Sequence, residues 1–222
     1  MPTLLLWLEG PMQSWGTTSR FDERDTQLDP SKSGVLGLLC AALGRDRAEA
    51  VDDLASLRMG VRVDREGTVM RDYQTATGVL NAGTGKPELN RTVVSPRFFL
   101  ADAAFLVGLE GADRARLAAL QSALRNPVWP LALGRKSLVP SSPVWLPDGI
   151  RDNPLEVALR THPSPASTRR GERPSAAVRL LLEHSTEGAV RLDQPVAPFA
   201  ERRFGPRFVT TEMIDVPLEA HA

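Results

Sequence analysis

The chain has 222 residues, 42% hydrophobic and 24% charged, and its 27 basic and 27 acidic side chains cancel. A chain of this length buries a core without staples, and its one cysteine, Cys40, forms no intramolecular disulfide. Zero net charge excludes nucleic-acid binding by bulk electrostatics alone, and no stretch approaches the roughly 20 apolar residues of a membrane span.

Thr3 to Leu8 is an apolar run ended by Gly10-Pro11. With no basic residues before it, the run predicts a short buried strand rather than a signal peptide. Residues 16–32 are polar and rich in turn formers, which predicts a long loop. Ser33 is placed to cap a helix over 34–43, which Gly44 ends. That helix is apolar on nearly all sides and is therefore expected to be buried. Residues 48–57 read as a second short helix, and 59–64 alternate as a strand. Glu66-Gly67 makes a turn, and 68–73 leads on from it.

Residues 74–96 hold few large apolar side chains and many Gly, Thr, Asn and Pro. They cannot build a core of their own, which predicts a protruding hairpin or long loop, mobile in the free protein. Strand-like segments follow at 97–100 and 103–109. An amphipathic helix at 113–124 carries Leu117, Leu120 and Leu124 on one stripe and stops at Asn126-Pro127. Residues 127–147 are dense in proline and tryptophan. Asn153 and Pro154 start a short helix to Leu159, as cap and first helical residue. A Pro/Ser/Thr/Arg loop spans 161–175, and 177–183, 189–192 and 208–216 read as strands. The order of strand, helix, strand, excursion, strand, helix and strand is βαββαβ, the ferredoxin-like plan. The expected fold is therefore α+β. A ferredoxin-like palm spans 1–146 with an insertion at about 74–97, and a smaller, mostly β region at 147–222 packs on it.

Three segments carry group types that suit RNA. Gln13, Trp15 and Gly16 follow the first strand, offering an amide, a stacking face and a sharp turn to a splayed nucleotide. The alternative for Trp15 is a hydrophobic plug. Ser31, Lys32 and Ser33 stand at a helix N-terminus, where free N–H groups favour a phosphate, although plain capping is the commoner use. Gly134, Arg135, Lys136 and Ser137 place two cations beside a flexible glycine. The tract from 160 to 207 holds nine arginines against five acidic residues, a locally basic stretch in a neutral chain. Catalytic material is thin. His162, His184 and His221 lack metal-ligand spacing, and Cys40 sits inside an apolar helix.

Five segments in the same order over residues 4–137 resemble the CasD family, the Cas-five-type subunits of type I-E CRISPR Cascade in the RAMP superfamily. They are Leu4 to Gly16, Ser33 to Gly44, Arg71 to Thr75, Phe99 to Phe105 and Leu133 to Ser137. Residues after 147 do not share in the resemblance. It implies an RNA-recognition-type palm that holds the repeat-derived 5′ handle of a guide RNA. A projecting thumb hairpin, here about 74–97, would cross the guide and use Leu89 and Arg91, with Arg71 and Tyr73 at its base. The implied neighbours are the CasC backbone and CasA large subunits, with target DNA met only through the complex. No metal, cofactor or membrane is implied, and the place of work is the cytoplasm. A type I-C relative is itself a metal-independent endoribonuclease, so repeat-RNA cleavage is the competing activity. Tyr73 is the sole tyrosine, and no histidine lies in the first 137 residues to pair with it. A generic ferredoxin-like interaction domain is the third reading.

Overall fold

The computed structural model describes residues 1–17, 23–81, 83–164 and 177–215. Leu4 to Leu8 form the centre of β1 (Thr3–Glu9), which is buried on both faces. β1 pairs antiparallel with β6 (Ala104–Glu110) on one side and β7 (Trp145–Arg151) on the other. β6 pairs with β3 (Arg58–Arg65), and β3 with β8 (Ala177–His184). β10 (Phe204–Asp215) and the edge strand β9 (Ala189–Pro195) complete a seven-stranded sheet in the order β7-β1-β6-β3-β8-β10-β9. Because the sheet continues from β3 into β8, both expected regions share it, and the expected boundary at 146 falls inside β7.

Helices cover both faces. On one side α1 (Lys32–Leu43) and α3 (Arg114–Arg125) bury Val35, Leu36, Leu39, Leu117, Leu120 and Leu124 against Leu4, Leu6, Val61 and Val107. On the other side α4 (Leu155–Thr161) sets Leu155 and Leu159 against Leu5, Leu106, Leu180 and Leu182. α4 sits close because two glycines face each other across the ladder, Gly60 against Gly108. A Cβ on either would lie 2.7 or 2.6 Å from a leucine methyl of α4. A four-residue helix, α2 (Asp52–Ala55), precedes β3.

The excursion is a regular hairpin. β4 (Thr68–Leu80) pairs antiparallel with β5 (Pro87–Ala101), and the two-residue β2 (Met12–Gln13) extends this second sheet at its base. Cross-strand pairing continues from Thr68 opposite Ala101 to Thr77 opposite Thr92. The register then slips. Leu89, Asn90 and Arg91 bulge opposite the single Gly78 before Val79 pairs with Glu88. Asn81 closes the tip, its side-chain oxygen accepting from the backbone N–H groups of Gly83 and Thr84.

Two expected boundaries move. Ser31, not Ser33, caps α1, its hydroxyl accepting from the Gly34 N–H at 3.3 Å, and the helix starts at Lys32. Pro154 precedes α4 as its cap residue, so Asn153 lies one position outside. The expected loop at 161–175 lies outside the described residues from 165 onward, and so does Val216. Among the described residues, no helix is long and apolar enough to cross a membrane.

Candidate nucleic-acid interface

The chain turns at Gly10 as it leaves β1 and drops Gln13 and Trp15 into the interior, 0% and 1% exposed. Gln13 spends its amide there. Nε2 donates to the Ala103 and Leu8 carbonyls at 2.8 and 3.2 Å, and Oε1 accepts from Trp15 Nε1 at 3.1 Å. The Trp15 ring lies against the first turn of α1, where a Cβ on Gly34 would stand 2.8 Å from it. The expected base-reading role of Gln13 and Trp15 is therefore corrected: both join β1, α1 and the hairpin base from within. Gly16 follows them, half-buried.

The start of α1 is closed as well. Lys32 is 1% exposed, and its ammonium donates to both Glu183 carboxylate oxygens at 3.0 and 3.1 Å. Its backbone N–H donates to Asp193 Oδ2 at 2.8 Å, so a carboxylate already occupies the helix N-terminus. Asp193 also receives the Arg207 guanidinium at 2.5 and 2.8 Å. Burial pushes the Lys32 ammonium below its ordinary pKa, and Glu183 opposes the shift. Ser31 is buried in its capping role, and Ser33 is half-buried beside it. The expected phosphate site at Ser31, Lys32 and Ser33 is therefore filled by the protein's own acids, which lie more than 150 residues further along the chain.

Five arginines of the basic tract from 160 to 207 are likewise paired with the protein's own acids. Arg179 pairs with Glu66, Arg191 with Asp29, Arg203 with Glu201 and Arg207 with Asp193; Arg160 pairs with both Glu156 and Glu212. Arg169, Arg170 and Arg173 lie outside the described residues.

The expected contacts on the hairpin are open to solvent. Tyr73 is 65% and Leu89 79% exposed, and Arg71 and Arg91 are exposed too, Arg91 donating to Glu88 at 3.2 Å. Tyr73 lies opposite Pro96 and Arg71 opposite Phe98, so these four side chains alternate with the half-buried row of Asp72, Gln74 and Arg97.

The loop at 133–138 docks beneath the hairpin base. Gly134 adopts φ +97°, and a Cβ on it would fall 1.8 Å from the Ser14 carbonyl oxygen. Only glycine fits there, and the space expected for a phosphate is taken by Ser14. Lys136 and Ser137 are exposed, while Arg135 turns inward and donates to the Arg24 and Phe98 carbonyls at 3.1 and 2.8 Å. That brings it beside two arginines that the sequence reading passed over. Arg24 and Arg97 form an isolated parallel bridge, with Arg24 N–H donating to Pro96 and Phe98 N–H to Arg24. Burial and the positive charges of Arg97 and Arg24 press the Arg135 pKa down. No local pattern announces a bridge between residues this far apart, which is why Arg24 and Arg97 escaped notice.

Residues 3–210 match the family model of the CRISPR-associated protein Cas5. The CRISPR system Cascade subunit CasD of Escherichia coli (strain K12) is 32% identical over 173 residues, 72% of this chain and 77% of that one. A crystal structure of a Cas protein shares 51% identity at a TM-score of 0.79, covering 97% of this chain and 98% of that one. A chain of a CRISPR RNA-guided surveillance complex shares 34% identity at a TM-score of 0.78, covering 97% and 91%. With its model matching nearly the whole chain, and relatives this similar along most of it, this protein belongs to the CRISPR-associated Cas5 family.

Proposed function

We propose that the chain is a guide-RNA-binding subunit of a type I-E Cascade surveillance complex, capping the 5′ handle of the guide RNA without cleaving it. The observation that carries this reading is the β4–β5 hairpin, a long two-stranded arm whose Arg71, Tyr73, Leu80 and Leu89 all face solvent. Exposed aromatic, apolar and cationic side chains on one arm are what an unstacked single strand needs. The order β7-β1-β6-β3, with α1 and α3 on one face, follows the ferredoxin-like plan and supports an RNA-recognition-type palm. The hairpin leaves that palm between its second and third strands, the place of a thumb. The CasC backbone and CasA large subunits are the partners this reading gives it, in the cytoplasm.

The non-catalytic part of the reading is supported by how Cys40 and the two described histidines are engaged, His221 lying outside the described residues. Cys40 is buried, its thiol pushed up to about 11. His184 Nδ1 accepts from the Thr186 and Glu187 N–H groups, and His162 is buried with its ring nitrogen on the Pro163 carbonyl. The test is a hairpin lacking residues 80–92, closed by a short turn. That protein should keep its fold by circular dichroism and fail to co-purify with guide-loaded Cascade. Site-specific cleavage of repeat RNA by the pure full-length protein in EDTA would replace this reading with the endoribonuclease one.

A further inference from the structure

The base of the hairpin brings three arginines close together. Arg24 and Arg97 are partners in a parallel bridge, so their side chains leave the same face of the small sheet. Asp72 lies directly opposite Arg97 on β4, on that same face. Arg135 reaches in from the 133–138 loop and holds the carbonyls of Arg24 and Phe98. Like charges directly opposite across a ladder are destabilising, and here a third guanidinium is added. All three are half-buried, where screening by solvent is weaker. Two acids nearby, Asp72 and Asp25, oppose the shift of Arg135 and offset part of this charge, leaving three cations against two anions; Asp72 also receives the Gln74 amide, and Asp25 the Thr17 N–H at 3.2 Å. Arg97 Nε is buried and has no hydrogen-bond partner. A buried guanidinium N–H left unpaired costs free energy that an acceptor would restore.

We infer that Arg24, Arg97 and Arg135 form a pocket for one phosphodiester of the guide strand where it crosses the hairpin base. This rests on the RNA-binding reading above and gives that interface a fixed point. An anion seated there offsets the mutual repulsion of the three arginines. Arginine suits the task because its planar donors match phosphate oxygens. With the Tyr73 ring on the opposite face of the same hairpin, a strand gripped at this pocket can wrap the hairpin edge and bring a base to that ring.

The test uses the full-length protein and a single-stranded RNA oligonucleotide of handle sequence, with affinity read by fluorescence anisotropy across a salt series. Arg97→Met keeps the side-chain bulk and removes the charge. It should weaken binding about tenfold or more and reduce the salt slope by about 0.7, the value for one phosphate on a single strand. The free variant should melt no earlier than the parent, because repulsion is relieved. Inorganic phosphate should raise the melting temperature of the parent and not that of the variant. A second arm leaves the protein unchanged and replaces single linkages of the RNA by neutral methylphosphonates. One linkage should cost the parent about as much as Arg97→Met does and cost the variant nothing more. Unchanged affinity and slope in Arg97→Met, with Tyr73→Ala still weakened, would place the strand on the outer face alone and overturn the pocket while leaving RNA binding intact. If the parent binds no RNA yet phosphate still protects it, the site takes a free anion, and both the inference and the functional reading fall.

Discussion

The N-terminus of α1 and the base of the hairpin each gather cations, and the protein treats them in opposite ways. At α1, Lys32, Arg207 and Arg191 meet Glu183, Asp193 and Asp29, and every one of these charges has a partner. At the hairpin base, Arg24, Arg97 and Arg135 face one another, and a buried guanidinium N–H lacks an acceptor. The first arrangement seals the N-terminus of a helix and ties the C-terminal strands to it. The second sets three cations against two acids, Asp25 and Asp72, and leaves positive charge in excess. A cation in the sequence is thus no guide to function until its acids are located.

The largest effect expected from breaking this contrast is on stability at α1. Asp193→Ala strands the Arg207 guanidinium and the Lys32 N–H in the interior, and breaking a buried pair this way costs about 3–5 kcal/mol. Urea unfolding should show that loss. An unchanged midpoint would mean that the cluster is not sealed. Trp15→Ala should cost a similar amount, about 3–5 kcal/mol, because it empties a buried site between β1 and α1.

On the hairpin the sign of the experiment reverses. Tyr73→Ala should change folding stability by less than about 0.5 kcal/mol, as exposed positions do. It should lower RNA affinity by about 1–3 kcal/mol through lost stacking. Parallel melting and anisotropy measurements separate the two regions cleanly: the α1 variants move the first readout and the hairpin variant moves the second.

Smaller effects sharpen the picture. Ser31→Ala should cost about 1 kcal/mol as a lost helix cap, whereas Ser33→Ala should stay within about 0.5 kcal/mol, by thermal melting of both. Asp53 offers a pH counterpart. Its side chain receives Arg45 at 2.6 Å and Arg116 at 2.6 Å, and hydrogen bonding from Arg45, ahead of the charges, holds its carboxyl at about 2. A depressed carboxylate stabilises the fold above its unfolded pKa of about 3.8 and loses that contribution as pH falls toward about 2. Asp53→Asn should therefore flatten the acid limb of stability between about pH 4 and 2, modestly, since the side chain is part-exposed.

Much of the fold could be read from apolar spacing. β1, β6 and α1 announce themselves as continuous apolar runs, and α3 buries Leu117, Leu120 and Leu124, the stripe its spacing predicts. β7 was missed because an edge strand containing Pro147 and Gly149, with Pro147 and Asp148 open to solvent, carries no apolar alternation. The hairpin was recognised as an excursion by its lack of large apolar residues, but its strands are held by cross-strand backbone bonds that composition does not encode. Exposure was legible on the hairpin, at Arg71, Tyr73, Leu89 and Arg91. The site was misread where a partner distant in sequence decides the role. Lys32 belongs to Glu183, Gln13 to Ala103 and Arg24 to Arg97, and each of those pairings exists only after folding.

The central claim, that guide RNA meets the hairpin and its base and not the start of α1, is tested most directly by hydrogen exchange on the full chain with and without handle RNA. The account predicts that RNA slows exchange at amides of 70–75, 87–98 and 133–138 and leaves 31–36 unchanged, since the Lys32 amide is already bonded to Asp193 and those of Gly34 and Val35 to Ser31. Slowed exchange at 31–36 with the hairpin unaffected would contradict it.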